Sequence, residues 1–289
     1  MSELLIGTES GIVEADTGRV HLEGRHVQAL TDRWAILDSR SLYERADGLW
    51  QERLPFSQIL TAVTSLDADV FLGTSTGELA RYDGRAHPVP GFDRVPGRDE
   101  WHAVGSSKPY VRSMSTSPDG VLFANVHVGG IPRSTDGGET WEPTIDVEAD
   151  VHQVLAHPDR PDIVLAAAAV GLAVSRDAGA TWTVHTEGLH GTYSRAVAVS
   201  GDAVFVSAST GPFTDRAAIY RRRLDSDEPL ERVSDWLDGN VDSGRLAAAG
   251  DAVAFGGPDG SLHVSDDGGA TWTVRDHLVP VTALVYSRT

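Results

Sequence analysis

Ser134-Thr-Asp-Gly-Gly-Glu-Thr-Trp141 returns as Ser175-Arg-Asp-Ala-Gly-Ala-Thr-Trp182 and again as Ser265-Asp-Asp-Gly-Gly-Ala-Thr-Trp272. The shared pattern is S-x-D-x-G-x-T-W. A carboxylate at its third position can accept backbone N–H bonds across a tight turn, and the glycine two places on supplies a positive φ. The serine and threonine hydroxyls brace the same turn, and the tryptophan turns back into apolar packing. Each copy therefore predicts a hairpin that is fastened to a neighbouring element.

Working outward, short runs of alternating apolar and polar residues, rich in Val, Ala, Ile and Leu, are separated by Gly, Asp, Pro and Ser turns over nearly the whole chain. Aligning the three copies gives a unit of about forty residues with four strands and the repeated turn before the last. That is the content of one blade of a β-propeller. The first strand of each unit is traceable as Val27-Gln-Ala-Leu30, Leu60-Thr-Ala-Val63, Val111-Arg-Ser-Met114, Val151-His-Gln-Val154, Ser194-Arg-Ala-Val197, Gly244-Arg-Leu-Ala247 and Val281-Thr-Ala-Leu284. Seven inner strands predict an all-β, seven-bladed β-propeller occupying 1–289 as a single domain. The last inner strand has no strands after it. The strands at 4–7, 11–15 and 19–23 have no inner strand before them. The economical solution is that the C-terminal strand completes the N-terminal blade and closes the ring, leaving no open sheet edge. The turn decays elsewhere, to Asp16-Thr-Gly18, Asp47-Gly48 and Asp83-Gly84, and it is lost between Arg221 and Pro229.

Composition excludes several functions. A net charge of −18, with Lys108 the only lysine, argues against a general binder of nucleic acid or anionic membrane. The absence of cysteine removes disulfides, thiol nucleophiles and Cys-ligated metals. No basic leader or apolar run of membrane-spanning length is apparent, so a cytoplasmic location is the expectation. No phosphate loop, nucleophile elbow or dinucleotide-binding pattern occurs.

The three boxes resemble the Asp-box (BNR) repeat of sialidases, sortilin-type receptors and photosystem assembly factors. The resemblance implies that the boxes lie between third and fourth strands, on the face away from the usual ligand site, with a structural role only. The sialidase Arg-Ile-Pro motif is absent; Ile131-Pro132-Arg133 scrambles it. Seven inner strands also do not match the six blades of a sialidase.

The connections lengthen on the face opposite the boxes, around blades four to seven: residues 88–109, those before Ser194 and Gly244, and 211–217. Elaborated loops on a rigid scaffold are where function usually lives. The second position of each inner strand reads Gln28, Thr61, Arg112, His152, Arg195, Arg245 and Thr282. Strand alternation places these on one side, around the channel mouth. Arg112, Arg195 and Arg245 would clamp an anion there, since guanidinium pairs bidentately with carboxylate or phosphate. The alternative is that each pairs with an acidic residue such as Glu9, Asp38, Asp215 or Asp242. Tyr110 and Tyr193 stand two residues ahead of Arg112 and Arg195, as acid/base groups or as an aromatic lid. Asp215-Arg216 is a second polar candidate in an extended loop. His152, Tyr193 and His127 are the candidate catalytic groups, and Tyr110 and His190 the further ligand contacts. His102, His127, His152 and His190 are candidate ligands for a divalent metal. Two functions follow: a binder of, or catalyst on, a small carboxylate-bearing or sugar-like anion, hydrolase- or lyase-like; or a non-catalytic protein-interaction scaffold whose arginines meet an acidic partner segment.

Overall fold

A computed structural model of the chain describes residues 3–102, 108–275 and 279–287. Its strands form seven antiparallel four-stranded sheets arranged as a ring. The inner strands are Val281–Tyr286 in blade 1, Val27–Leu30 in blade 2, Leu60–Leu66 in blade 3, Val111–Thr116 in blade 4, Val151–Ala156 in blade 5, Tyr193–Ser200 in blade 6 and Leu246–Ala249 in blade 7. Blade 1 is completed as expected: Val281–Tyr286 pairs antiparallel with Leu4–Thr8, with Leu5 opposite Val285 and Ile6 opposite Leu284. The seven-bladed, ring-closed architecture read from the repeats is therefore the observed one.

Apolar residues on both faces of each sheet meet the next blade, because a propeller sheet is covered on each side. The buried side chains accordingly fall into seven clusters, one between each adjacent pair of blades. Second-strand glycines let inner strands approach closely. A Cβ on Gly73 would stand 2.5 Å from Val111 Cγ1 of the next blade, and one on Gly256 2.8 Å from Val281.

The three boxes join third and fourth strands, on the face opposite the loops that enter the inner strands. In the second copy Asp177 Oδ1 accepts from Thr181 N (2.8 Å) and Ser175 Oγ (2.8 Å), while Oδ2 accepts from Thr181 Oγ1 (2.6 Å). The other two copies repeat this network. Gly138, Gly179 and Gly269 have φ of 91°, 82° and 86°. The stapling reaches the preceding blade: Trp182 Nε1 donates to Thr144 Oγ1 and Trp272 Nε1 to Val233 O.

The segment after residue 88 departs from the expectation of a site-forming loop. Its described part folds inward, burying Val89, Phe92, Val95 and Trp101, with Phe92 edge-on to Trp141 at 5.1 Å. Its apolar residues are every third or so, and burial took them.

Candidate functional site

The inner strands do not alternate simply at their second residue. In six of the seven, the described register slips there, between Val27 and Ala29, Leu60 and Ala62, Val111 and Ser113, Val151 and Gln153, Ser194 and Val197, and opposite Gly7 and Thr8 at Val281 and Ala283. Such a β-bulge takes one residue out of the ladder and re-aims its side chain. The strand alternation expected for the ring positions is thus corrected: Gln28, Thr61, Arg112, His152 and Thr282 are the bulged residues, and Arg195 lies within the bulge of blade 6.

Their fates differ. Gln28, Thr61, Arg112 and Thr282 line the central channel, a cavity of about 1000 Å³, together with Gln153 and Ser243. His152 is fully buried. Arg245 precedes its strand, which starts at Leu246, and no hydrogen bond or ion pair of its side chain is found among the described residues.

Blades 4 to 7 bring one polar cluster together at the channel mouth. Blade 4 contributes Tyr110, Arg112 and His127. Blade 5 contributes Asp150 and His152, blade 6 Tyr193 and Arg195, and the connection into blade 7 Asp242 and Ser243. The rings form a row: Tyr110 to His127 at 5.1 Å, His127 to His152 at 6.3 Å and His152 to Tyr193 at 4.7 Å between centroids. Asp150 sits beneath the two imidazoles, with Oδ1 3.5 Å from His127 Nε2 and Oδ2 3.5 Å from His152 Nε2. His152 Nδ1 is 2.6 Å from the carbonyl of Ser194.

The arginines meet one carboxylate. Arg195 Nη1 is 2.5 Å from Asp242 Oδ1, and Arg112 Nη2 is 3.6 Å from the same oxygen. Arg195 also reaches the Tyr193 hydroxyl (3.5 Å), and Arg112 Nε donates to Ser243 Oγ (3.3 Å). Of the acidic partners anticipated for the arginines, Asp242 is the one observed; Asp38 pairs with Arg25 instead. Two guanidinium groups, Arg112 and Arg195, stand against two carboxylates, Asp242 and Asp150, so their formal charges cancel across the cluster.

Burial drives the His127 imidazole down to about 4, and the charge of Arg112 adds to this, so the ring is neutral at pH 7. Interaction with His152 holds the Asp150 carboxyl below the usual carboxylate range. Four buried polar atoms of the cluster have no hydrogen-bond partner: His127 Nδ1, Asp150 Oδ1, His152 Nε2 and Arg195 Nε. Buried polar atoms are nearly always paired, so four in one cluster are unusual.

Two expected histidines lie elsewhere. His190 bonds the Tyr220 hydroxyl (2.7 Å) and the Arg216 carbonyl (3.1 Å) and packs edge-on to Trp236. His102 is exposed, with Nδ1 3.2 Å from the carbonyl of Glu100. The expectation that all four histidines gather at one rim is corrected to two. Asp215 is not in the cluster, and Arg216 lies over the Trp236 ring at 3.9 Å. Asp150 was not singled out by the sequence at all. Its signal was the short spacing Asp150-x-His152 at the entry of an inner strand.

Comparison with known proteins fits this geometry. The BNR/Asp-box repeat model matches residues 133–143. Among solved structures, the chain is similar to a GH74 enzyme of Niastella koreensis, at 13% identity and a TM-score of 0.62, covering 96% of this chain and 47% of that one. It is similar to the WD40 β-propeller domain of Doa1, at 12% identity and a TM-score of 0.62, covering 96% and 87%. It is also similar to YCF48 bound to a D1 peptide, at 16% identity and a TM-score of 0.59, covering 86% and 81%. No match was found among curated proteins. The class is a seven-bladed β-propeller. Within it, the chain carries one segment, residues 133–143, that matches the BNR/Asp-box repeat, and no specific member is singled out. The structural neighbours include enzymes and non-catalytic propellers alike, and identities this low carry the fold alone. No helix among the described residues is long and apolar enough to cross a membrane.

Proposed function

We propose that this propeller binds a small anionic ligand, carboxylate-bearing or sugar-like, at the channel mouth above blades 4 to 7, and that the site is equipped for acid–base chemistry of the hydrolase or lyase type. The observation that carries this reading is the convergence of Arg112 and Arg195 on a single shared carboxylate, beside two imidazoles and two phenols, with Arg195 Nε buried and unpartnered. Two guanidinium groups that share one carboxylate keep donors free for the oxygens of an anion, and burial strengthens such pairing. Tyr193 and Tyr110 flank the position as the candidate proton-transfer groups, and His127, held neutral, offers a hydrogen-bonding imidazole.

The test is a thermal-shift and calorimetric screen of carboxylates, uronic acids and phosphorylated sugars, repeated on Arg195→Ala against that variant's own ligand-free baseline. A ligand that raises the melting temperature of the wild type and not of the variant supports the reading. A panel that leaves the wild type unmoved, or a shift retained in the variant, overturns it.

A second reading has its own observation. Phe213, in the loop between second and third strands of blade 6, is fully exposed on the same face. A propeller among the structural neighbours was solved with a peptide bound. As a protein-interaction scaffold, the chain would seat an acidic segment carrying an apolar residue. Titration with acidic peptides discriminates: affinity lost in Phe213→Ser and Arg195→Ala together assigns the face to a peptide.

A further inference from the structure

We infer that His127, Asp150 and His152 form a site for one divalent transition-metal ion of the Zn²⁺ type. The argument begins with a proton. His152 Nδ1 lies 2.6 Å from a backbone carbonyl, which only accepts, so Nδ1 carries the hydrogen. In the neutral ring Nε2 then offers a lone pair. That atom is fully buried, has no hydrogen-bond partner and stands 3.5 Å from Asp150 Oδ2. A lone pair facing a carboxylate in a dry site is repulsive unless a proton or a metal ion lies between them, and the geometry of the third ligand favours the metal ion.

The second oxygen of the same carboxylate faces His127 Nε2, also at 3.5 Å. All three ligand atoms lie within 4.8 Å of one another. Separations of 3.5 Å are long for hydrogen bonds. Each is close to the ~3.4 Å by which an ion with tetrahedral bonds of about 2.0–2.1 Å spaces a pair of ligands, the two imidazoles addressing different oxygens of one carboxylate. Metal-bound imidazoles usually donate their other N–H to a carbonyl or carboxylate, which fixes the tautomer, and His152 already does so.

The backbone holds the set from two blades. His152 is the bulged residue of an inner strand. The amide of His127 donates to the carbonyl of Tyr110 (3.0 Å). Asp150 ends the short turn Val147–Ala149 at φ 46° and ψ 70°, a left-handed conformation that a non-glycine residue adopts only where its surroundings impose it. Two nitrogens and one carboxylate select Zn²⁺ and its transition-metal neighbours over Ca²⁺ and Mg²⁺, which prefer oxygen alone. Three protein ligands leave a coordination position open. Arg112 and Arg195 lie close by and would oppose a cation. Asp242 takes up part of their charge, and the Asp150 carboxylate, which also feels Arg112, takes up more.

The inference does not rest on the anion reading, because metal uptake is measured with no anionic ligand present. Full-length protein is treated with a chelator, exchanged into clean buffer and titrated with ZnCl₂ by calorimetry and native mass spectrometry. Cobalt(II) serves as the spectroscopic probe. The expected result is one Zn²⁺ per chain, a raised melting temperature and visible Co²⁺ absorption of tetrahedral intensity. Asp150→Asn and His127→Gln should each weaken binding by on the order of 100-fold or more, since second-shell changes alone cost about 10–100-fold. His190→Ala should bind as the wild type does. If Asp150→Asn fails to fold, His127→Gln carries the comparison. A wild type that takes up no stoichiometric metal overturns the inference and leaves a proton shared between His152 and Asp150. Uptake unchanged in both variants overturns it equally.

Discussion

Asp177 shows how much one side chain can do in this fold. Its carboxylate accepts from the Thr181 hydroxyl first, then from the Thr181 amide and Ser175, and these bonds pull its pKa down to about 2. The same network pulls Asp267 to about 2 and lowers Asp136. An unfolded aspartate titrates near ~3.9, so between ~3.9 and about 2 the unfolded chain binds more protons than the folded one. The contribution of the turn is therefore complete above ~pH 4 and is lost as pH falls through about 2. Asp177→Asn, which cannot ionise, should cost about 0.5–2 kcal/mol at pH 7, by analogy with helix caps, and clearly less relative to wild type near pH 2, where the native carboxylate is about half protonated. Urea unfolding of both proteins at the two pH values checks this; an equal offset at both would mean that the turn does not distinguish the ionised side chain. The role of Asp177 is legible in the sequence because all its partners lie within four residues. That of Asp150 is not, because its partners, His127 and His152, are placed by two different blades. His190 shows the converse. It sits in a loop with no strand register, and Tyr220 and Trp236 decide where it points.

At the level of the strand, the period-2 pattern locates the inner strands but is blind to their bulges. An extra residue leaves the apolar alternation on either side intact, so nothing in Val111-Arg-Ser-Met114 shows that Arg112 leaves the ladder. Reading equivalent positions across blades still found Arg112, His152 and Arg195, because the bulge recurs at the same position in each. It misplaced Arg245, where blade 7 begins its strand one residue later. The close approach of blades has a sharper test. Gly73 packs its Cα against Val111, with room for no Cβ. Alanine suits a strand better than glycine in general. Here Gly73→Ala should nevertheless cost about 1–3 kcal/mol through overpacking. Val111→Ala in the same chain should recover part of that loss, giving a favourable coupling in a double-mutant cycle measured by denaturant unfolding. A neutral or stabilising Gly73→Ala would show that the blades do not limit one another at this contact.

For the whole molecule, the ring turns on one seam. Six blades are continuous in sequence, and blade 1 is assembled from both ends of the described chain. This was legible from a count of strands, since seven inner strands with an orphan at each end admit one economical closure. The site depends on the closure only indirectly. Its residues come from blades 4 to 7, of which 4 and 5 lie across the ring from the seam and 7 adjoins it, and their spacing around the channel is fixed only while all seven interblade cores are formed. The seam can be locked. Leu5 and Val285 are register partners on adjacent strands. Directly opposed residues in an antiparallel pair have Cα atoms about 4.5–5.5 Å apart, within the range a disulfide spans. The protein has no cysteine, so a Leu5→Cys, Val285→Cys variant can form only this bond within one chain. Comparing its oxidised and reduced forms cancels the loss of two apolar side chains and isolates the cross-link. A bond closing nearly the entire chain removes more unfolded-state entropy than any shorter loop, and the oxidised form should be more stable by about 2–4 kcal/mol. Unfolding should also slow, if the seam is where the ring first opens. With the disulfide confirmed by mass spectrometry, equal stability of the two forms would overturn the entropic gain, and an unfolding rate unchanged by oxidation would place the first opening between two other blades.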